Sequence, residues 1–153
     1  MDKKQTEINE VLNELSERKG LLELEVKAWK ALLQSTKVMI AITDVKTGKF
    51  VYVNPAFREL LGYNFKELIS KEVSDFLVKD DVGPTQKTFV TAITAPNHTF
   101  DGFINRYVSK TGKVIYVNWF ENIRLNGTWL SFVLIATEKE YKDHKRLFSA
   151  WKD

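Results

Sequence analysis

VYVNPAFRELLGY, residues 51–63, changes backbone habit three times in a short space. Phe50, Val51, Tyr52 and Val53 are aromatic or β-branched and favour a strand. Asn54 suits a helix N-cap, and Pro55 suits the first helical position, where its φ is preset and no amide is lost. Phe57, Leu60 and Leu61, at i, i+3 and i+4, lay one apolar stripe over two turns. Gly62 then stops the helix, because it takes a left-handed conformation freely. Asn64 opens a second short helix with Glu67 as its capping-box partner.

The pattern extends in both directions. Upstream, VMIAIT (residues 38–43) is a continuous apolar run fit for a central strand covered on both faces, and Lys46-Thr47-Gly48-Lys49 supplies a turn. Downstream, Glu72 to Phe76 reads as one helical turn. Asp80-Asp81 reads as the cap of a longer helix in whose first turn Pro84 is tolerable. Phe89 and Ile93, four apart, are expected to face the core of that helix's packing, and Pro96 ends it. Strands are expected over 100–108, 113–124 and 128–137, with hairpin turns at Thr111-Gly112 and Asn126-Gly127. Thr137 and Glu140 form a capping box for an exit helix whose apolar side is Tyr141, Leu147, Phe148 and Trp151. Two strands, short helices, then three strands joined by tight turns predict an α+β fold: an antiparallel sheet with helices on one face. In the fourth strand Ile115, Val117 and Trp119 share one face, and Tyr116, Asn118 and Phe120 the other. Both carry large apolar groups, so both faces are expected to be covered.

VYVNPAFRELLGYNFKEL resembles the opening of a PAS domain, whose members often read strand, N-x-A-F, G-Y, then a Glu-Leu pair. Arg106 and the Lys110-Thr111-Gly112 turn resemble the hairpin of that family. Ala136-Thr137-Glu138 resembles the D-I-T-E junction where a PAS core meets its exit helix. The resemblance covers about residues 37–138. It implies a PAS-like five-stranded sheet whose small helices wall a cavity. The implied division is an N-terminal helix over 1–36, a PAS core over 37–137 and an exit helix over 138–153. By register from the Gly112 turn, Asn105, Tyr107, Val117, Trp119, Ser131 and Val133 then point inward, with Phe89 opposite. Asn105, Tyr107 and Trp119 offer polar tips in an apolar wall, as small-ligand pockets do. Alternatively, Tyr107 and Trp119 fill the core and bond their polar ends to backbone.

The resemblance also lets cofactors be weighed against residue types. Flavin-binding relatives need a Cys near the short helices and amides on the last three strands. This chain has no Cys, and Tyr107, Val117 and Val133 stand at the matching places. A flavin photoadduct is not expected, nor is the Cys-anchored chromophore of the photoactive yellow protein type. Haem-binding relatives take a His from the long core helix, and residues 80–96 hold none, so haem is not expected either. His98 reads as a solvated loop residue, and His144 lies on the exit helix. Two lone histidines make no metal site. No cofactor is named by these residues. G-x-S-x-G and phosphate-cradling glycine loops are missing, and no His has a plausible nucleophile beside it, so no catalytic residue is assigned and no enzyme is expected.

Residues 1–36 read as one long helix. Ile8, Leu15, Leu22 and Trp29 recur every seven residues, and Leu12, Lys19, Val26 and Leu33 fill the alternate seam positions. A helix of that length reaches ~50 Å and cannot bury its stripe on a small domain alone. Ile8, Leu12, Leu15, Leu22, Val26, Trp29 and Leu33 are therefore assigned to a dimeric coiled coil. The alternative is a helix folded back on its own domain, bent at Gly20.

The chain's 153 residues support a single core, and 44% hydrophobic with 28% charged residues is an ordinary globular composition. No apolar run is long enough to span a membrane, and no signal peptide is visible, which makes the cytoplasm the expected compartment. A net charge of +3, with lysines spread along the chain, argues against nucleic acid. The expectation is a sensory and signal-transduction module that forms a homodimer. It would relay ligand or partner binding to an output domain, which the resemblance implies to be that of a bacterial sensor kinase of a two-component system or of a cyclic-dinucleotide enzyme. The rival is a ligand-free dimerisation scaffold with a filled core.

Overall fold

A computed structural model of the chain describes residues 2–94, 99–148 and 151. Its contacts divide into two units, residues 1–36 and 37–153. The first is α1 (Lys3–Ser35), opened by Asp2, whose side chain accepts from Lys4 N–H. The second is a five-stranded antiparallel sheet with helices. In chain order it contains β1 (Met39–Asp44), β2 (Phe50–Val53), α2 (Pro55–Leu61), α3 (Phe65–Leu68), a 3-10 turn (Val73–Phe76), α4 (Lys79–Thr94), β3 (Phe103–Val108), β4 (Val114–Leu125), β5 (Thr128–Ile135) and α5 (Glu138–Leu147). The strand order is β2-β1-β5-β4-β3, so the N-terminal hairpin and the C-terminal meander join at the β1–β5 pair.

Local chemistry explains the element ends. Asn54 Oδ1 caps α2 by accepting from Phe57 N–H, and Gly62 closes it at φ +81°. Asn54 does more than cap: it also accepts from Ile40 N–H at 2.9 Å and its amide donates to Val38 O at 2.8 Å. The helix start is thereby stapled to β1. Gly62 lies against the β3–β4 turn, where Lys110 N–H donates to Leu61 O at 2.9 Å. The capping boxes Asn64/Glu67 and Thr137/Glu140 both form. In β1 Ile40 and Ala41, which point to opposite faces, are both fully buried, as a strand covered on both sides requires.

Several expectations need correction. Pro84 lies five residues into α4, in its second turn, and α4 tolerates the lost hydrogen bond. Ile93 is exposed, because α4 turns Asp81, Thr85, Thr88 and Ala92 inward, a stripe of small and polar residues with Phe89 half-buried beside it. Leu147 is exposed too, since α5 faces the domain with Tyr141 and His144. The outer sheet face is only partly covered. A bulge between Trp119 and Glu121 leaves Phe120 exposed, along with Ile123 and Leu134. Pro96 and His98 lie outside the described residues.

Candidate functional site

The inner face of the sheet collects the inward residues named from register. Asn105, Tyr107, Val117, Ser131 and Val133 are fully buried, Trp119 nearly so, and Phe89 is half-buried on α4. They come together as part of a continuous aromatic packing. Phe57 meets Tyr107 edge-on at 6.0 Å, Phe100 meets Trp119 at 6.1 Å and Trp129 at 5.1 Å, and Phe89 meets Phe100 at 4.9 Å. The polar tips are largely spent on one another. Trp119 Nε1–H donates to Asn105 Oδ1 at 3.0 Å, and the Asn105 amide donates to Thr85 Oγ1 at 3.2 Å. Ser131 Oγ–H donates to Asn122 Oδ1 at 2.6 Å, while the Asn122 amide donates to Asp101 Oδ1. Of Asn105, Tyr107 and Trp119, only the Tyr107 hydroxyl lacks a side-chain or backbone partner among the described residues, and burial pushes its pKa well up. Trp119 thus bonds a side chain rather than backbone.

Open space lies at the mouth of this interior. A cleft of about 330 Å³ runs between the β1–β2 turn, the 3-10 turn and α4, lined by Val45, Gly48, Ser74, Thr85, Gln86 and Phe89. Its lining mixes apolar and polar side chains, with Thr85 buried and Val90 and Ile93 exposed. A second groove, of about 420 Å³, lies between the end of α2, the β3–β4 turn and the end of β5.

At the outer edge of β3, which also takes a backbone bond from Val78, a charged junction forms that Asp81's place near a helix start did not suggest. Asp81 does not serve as the cap expected of it: its side chain is fully buried and serves tertiary bonds. Oδ2 accepts from Arg106 N–H at 2.7 Å, Oδ1 accepts from Arg106 Nη2 at 2.8 Å, and Oδ1 also accepts from the Tyr141 hydroxyl at 2.8 Å. The Arg106 guanidinium lies over the Tyr141 ring, 4.7 Å from its centroid. The bond to Asp81 raises the pKa of Arg106, and burial with the same carboxylate raises that of Tyr141. One turn along α5, His144 Nε2 accepts from Ile104 N–H at 3.1 Å, and burial lowers its pKa to about 4. It is therefore a neutral acceptor at pH 7. Asp81 and His144 occupy two outward amides of β3 that an edge strand otherwise leaves unpaired. Partners 25 and 60 residues away in sequence leave no local signal for this junction.

In α1, the side chains of Ile8, Leu12, Leu15, Leu22, Val26 and Trp29 are exposed, and Leu33 is partly so. Among the described residues no helix is long and apolar enough to cross a membrane.

A family model described as PAS fold matches residues 27–137. No curated protein matches the chain significantly. Among solved structures, the PAS domain of an HTR-like protein from Haloarcula marismortui is 20% identical, with a TM-score of 0.57 over 79% of this chain and 99% of that one. A domain of a sensory box sensor histidine kinase/response regulator from Geobacter sulfurreducens is 18% identical, with a TM-score of 0.59 over 73% and 95% of the two chains. The LOV protein of Rhodobacter sphaeroides is 12% identical, with a TM-score of 0.61 over 84% and 77%. At these identities the structures share the fold.

Proposed function

The chain belongs to the PAS family, and from that premise we propose that it is a non-catalytic sensory and signal-transduction module. It forms a homodimer through α1 and relays the state of its core to an output domain. The observation that carries this reading is the exposed heptad stripe. Burying one Leu or Ile side chain stabilises by about 1.5–3 kcal/mol, so Ile8, Leu12, Leu15 and Leu22 together represent a large gain open to a second α1. Replacing Leu15 and Leu22 by Asp should convert a dimer to a monomer in light scattering. A mass unchanged by the double substitution would defeat the reading.

The ligand-free scaffold is a second reading, favoured by the bonds among Trp119, Asn105 and Thr85, which use up polar tips a ligand would need. The two readings diverge in the cleft beside Phe89. A sensor retains a small molecule detectable by mass spectrometry of gently purified protein, or shows a raised melting temperature with one. A scaffold does neither and still dimerises.

A further inference from the structure

We infer that Asp81 is the latch of the exit helix, making the docking of α5 and the position of α4 one linked equilibrium. The inference rests on the relay reading above and names the contact that would carry it. Three elements meet on a single carboxylate: α4 supplies Asp81, β3 supplies Arg106 with its backbone N–H, and α5 supplies the Tyr141 hydroxyl. The same helix walls the cleft of about 330 Å³ through Thr85, Gln86 and Phe89. Thr85 stands one helical turn from Asp81 and accepts from Asn105, the neighbour of Arg106 on β3. Anything that wedges into the cleft therefore acts on α4 one turn beyond the carboxylate, at the residue whose bond to Asn105 ties that helix to the strand of Arg106.

The other side of the latch is weak by itself. A helix of ten residues does not persist alone in water, so docking and helicity of α5 stand or fall together. Its further holds are the His144–Ile104 bond and ring contacts of Tyr141 with Tyr116 and of Phe148 with Phe103. A hydrogen bond between a hydroxyl and a buried carboxylate is short-ranged, so a small shift of α4 breaks it. By linkage the coupling runs both ways: loosening α5 must loosen α4.

Tyr141→Phe in the full chain tests this, read by hydrogen–deuterium exchange. It removes the bond while leaving Asp81 paired with Arg106. Amides of α5 should exchange about ten- to a hundredfold faster. Those of residues 85–94 should accelerate as well, while β4 and β5 keep their rates. Unchanged α5 exchange overturns the latch, and faster α5 exchange with unchanged α4 overturns the linkage. Equal acceleration through β4 and β5 overturns both, marking Tyr141 as a general stabiliser. In an Asp81→Asn background, Tyr141→Phe should change α5 exchange less than about twofold, and a full additive effect overturns the assignment to Asp81. Light scattering on the same samples reads the dimer separately, so a failed latch and a failed dimer are distinguishable.

Discussion

The two helices that flank the PAS core make opposite use of their apolar surface. α1 runs for 33 residues and leaves Ile8, Leu12, Leu15, Leu22 and Val26 in water. α5 runs for ten and buries Tyr141 to 4% exposure, with two polar side chains bonded to tertiary partners. Length explains the first: many consecutive helical bonds support a long helix without help from a core. The second holds its shape by being docked. A helix with unspent apolar surface is suited to meeting another chain, and a short docked helix is suited to being released.

The contrast can be broken most forcefully at Asp81. Asp81→Ala leaves the Arg106 guanidinium, its backbone N–H and the Tyr141 hydroxyl without their acceptor. It should cost about 3–5 kcal/mol of stability in urea unfolding, because removing one partner of a buried ion pair leaves the other uncompensated. Residues 37–153 should bear that loss, with α1 exchange rates unaltered.

Acidification ranks next. His144 must be neutral to accept from Ile104, and burial holds its pKa at about 4 against an ordinary value of 6.5. The released helix binds the proton near pH 6.5 and the docked one only near 4. Docking is therefore fully favoured above 6.5 and weakens as pH falls from 6.5 through 4. Exchange of α5 amides followed over that range should show it, and His144→Gln, which keeps an acceptor without the titration, should flatten the profile. An equally steep profile in both proteins would separate His144 from docking.

The smallest effects lie at the helices' own backbones. Thr137→Ala removes the capping box of α5 and should cost about 1 kcal/mol, with faster exchange confined to α5. Gly20→Ala, at a site with nothing within 4 Å of the added methyl, should stabilise α1 by up to about 1 kcal/mol and tighten self-association, with α5 unmoved. Circular dichroism with concentration series checks both.

Much of the fold was legible along the chain because its signals act within a few residues. Asn54, Pro55 and Gly62 bound α2 by local bonds, and the boxes at Asn64/Glu67 and Thr137/Glu140 start two more helices where expected. The inward set on β3, β4 and β5 followed from alternation and the Gly112 turn. The misreadings share a cause. Ile93 was placed by spacing from Phe89, but packing rotated α4 onto Asp81, Thr85 and Ala92. The bond of His144 to Ile104 likewise has no local signal, because its partner lies 40 residues away in sequence.

The order of strands and helices, the caps of α2, α3 and α5, the turns, the heptad of α1 and the family membership can be read along the chain, since each depends on neighbours at fixed short spacing. Whether Asn105 and Trp119 would greet a ligand or each other, and whether Asp81 would cap a helix or hold three elements, turned on packing between distant segments. Those outcomes depend on which groups burial brings within 3 Å of one another. A buried polar group takes whichever partner packing supplies, because leaving it unpaired costs more than any local preference it has.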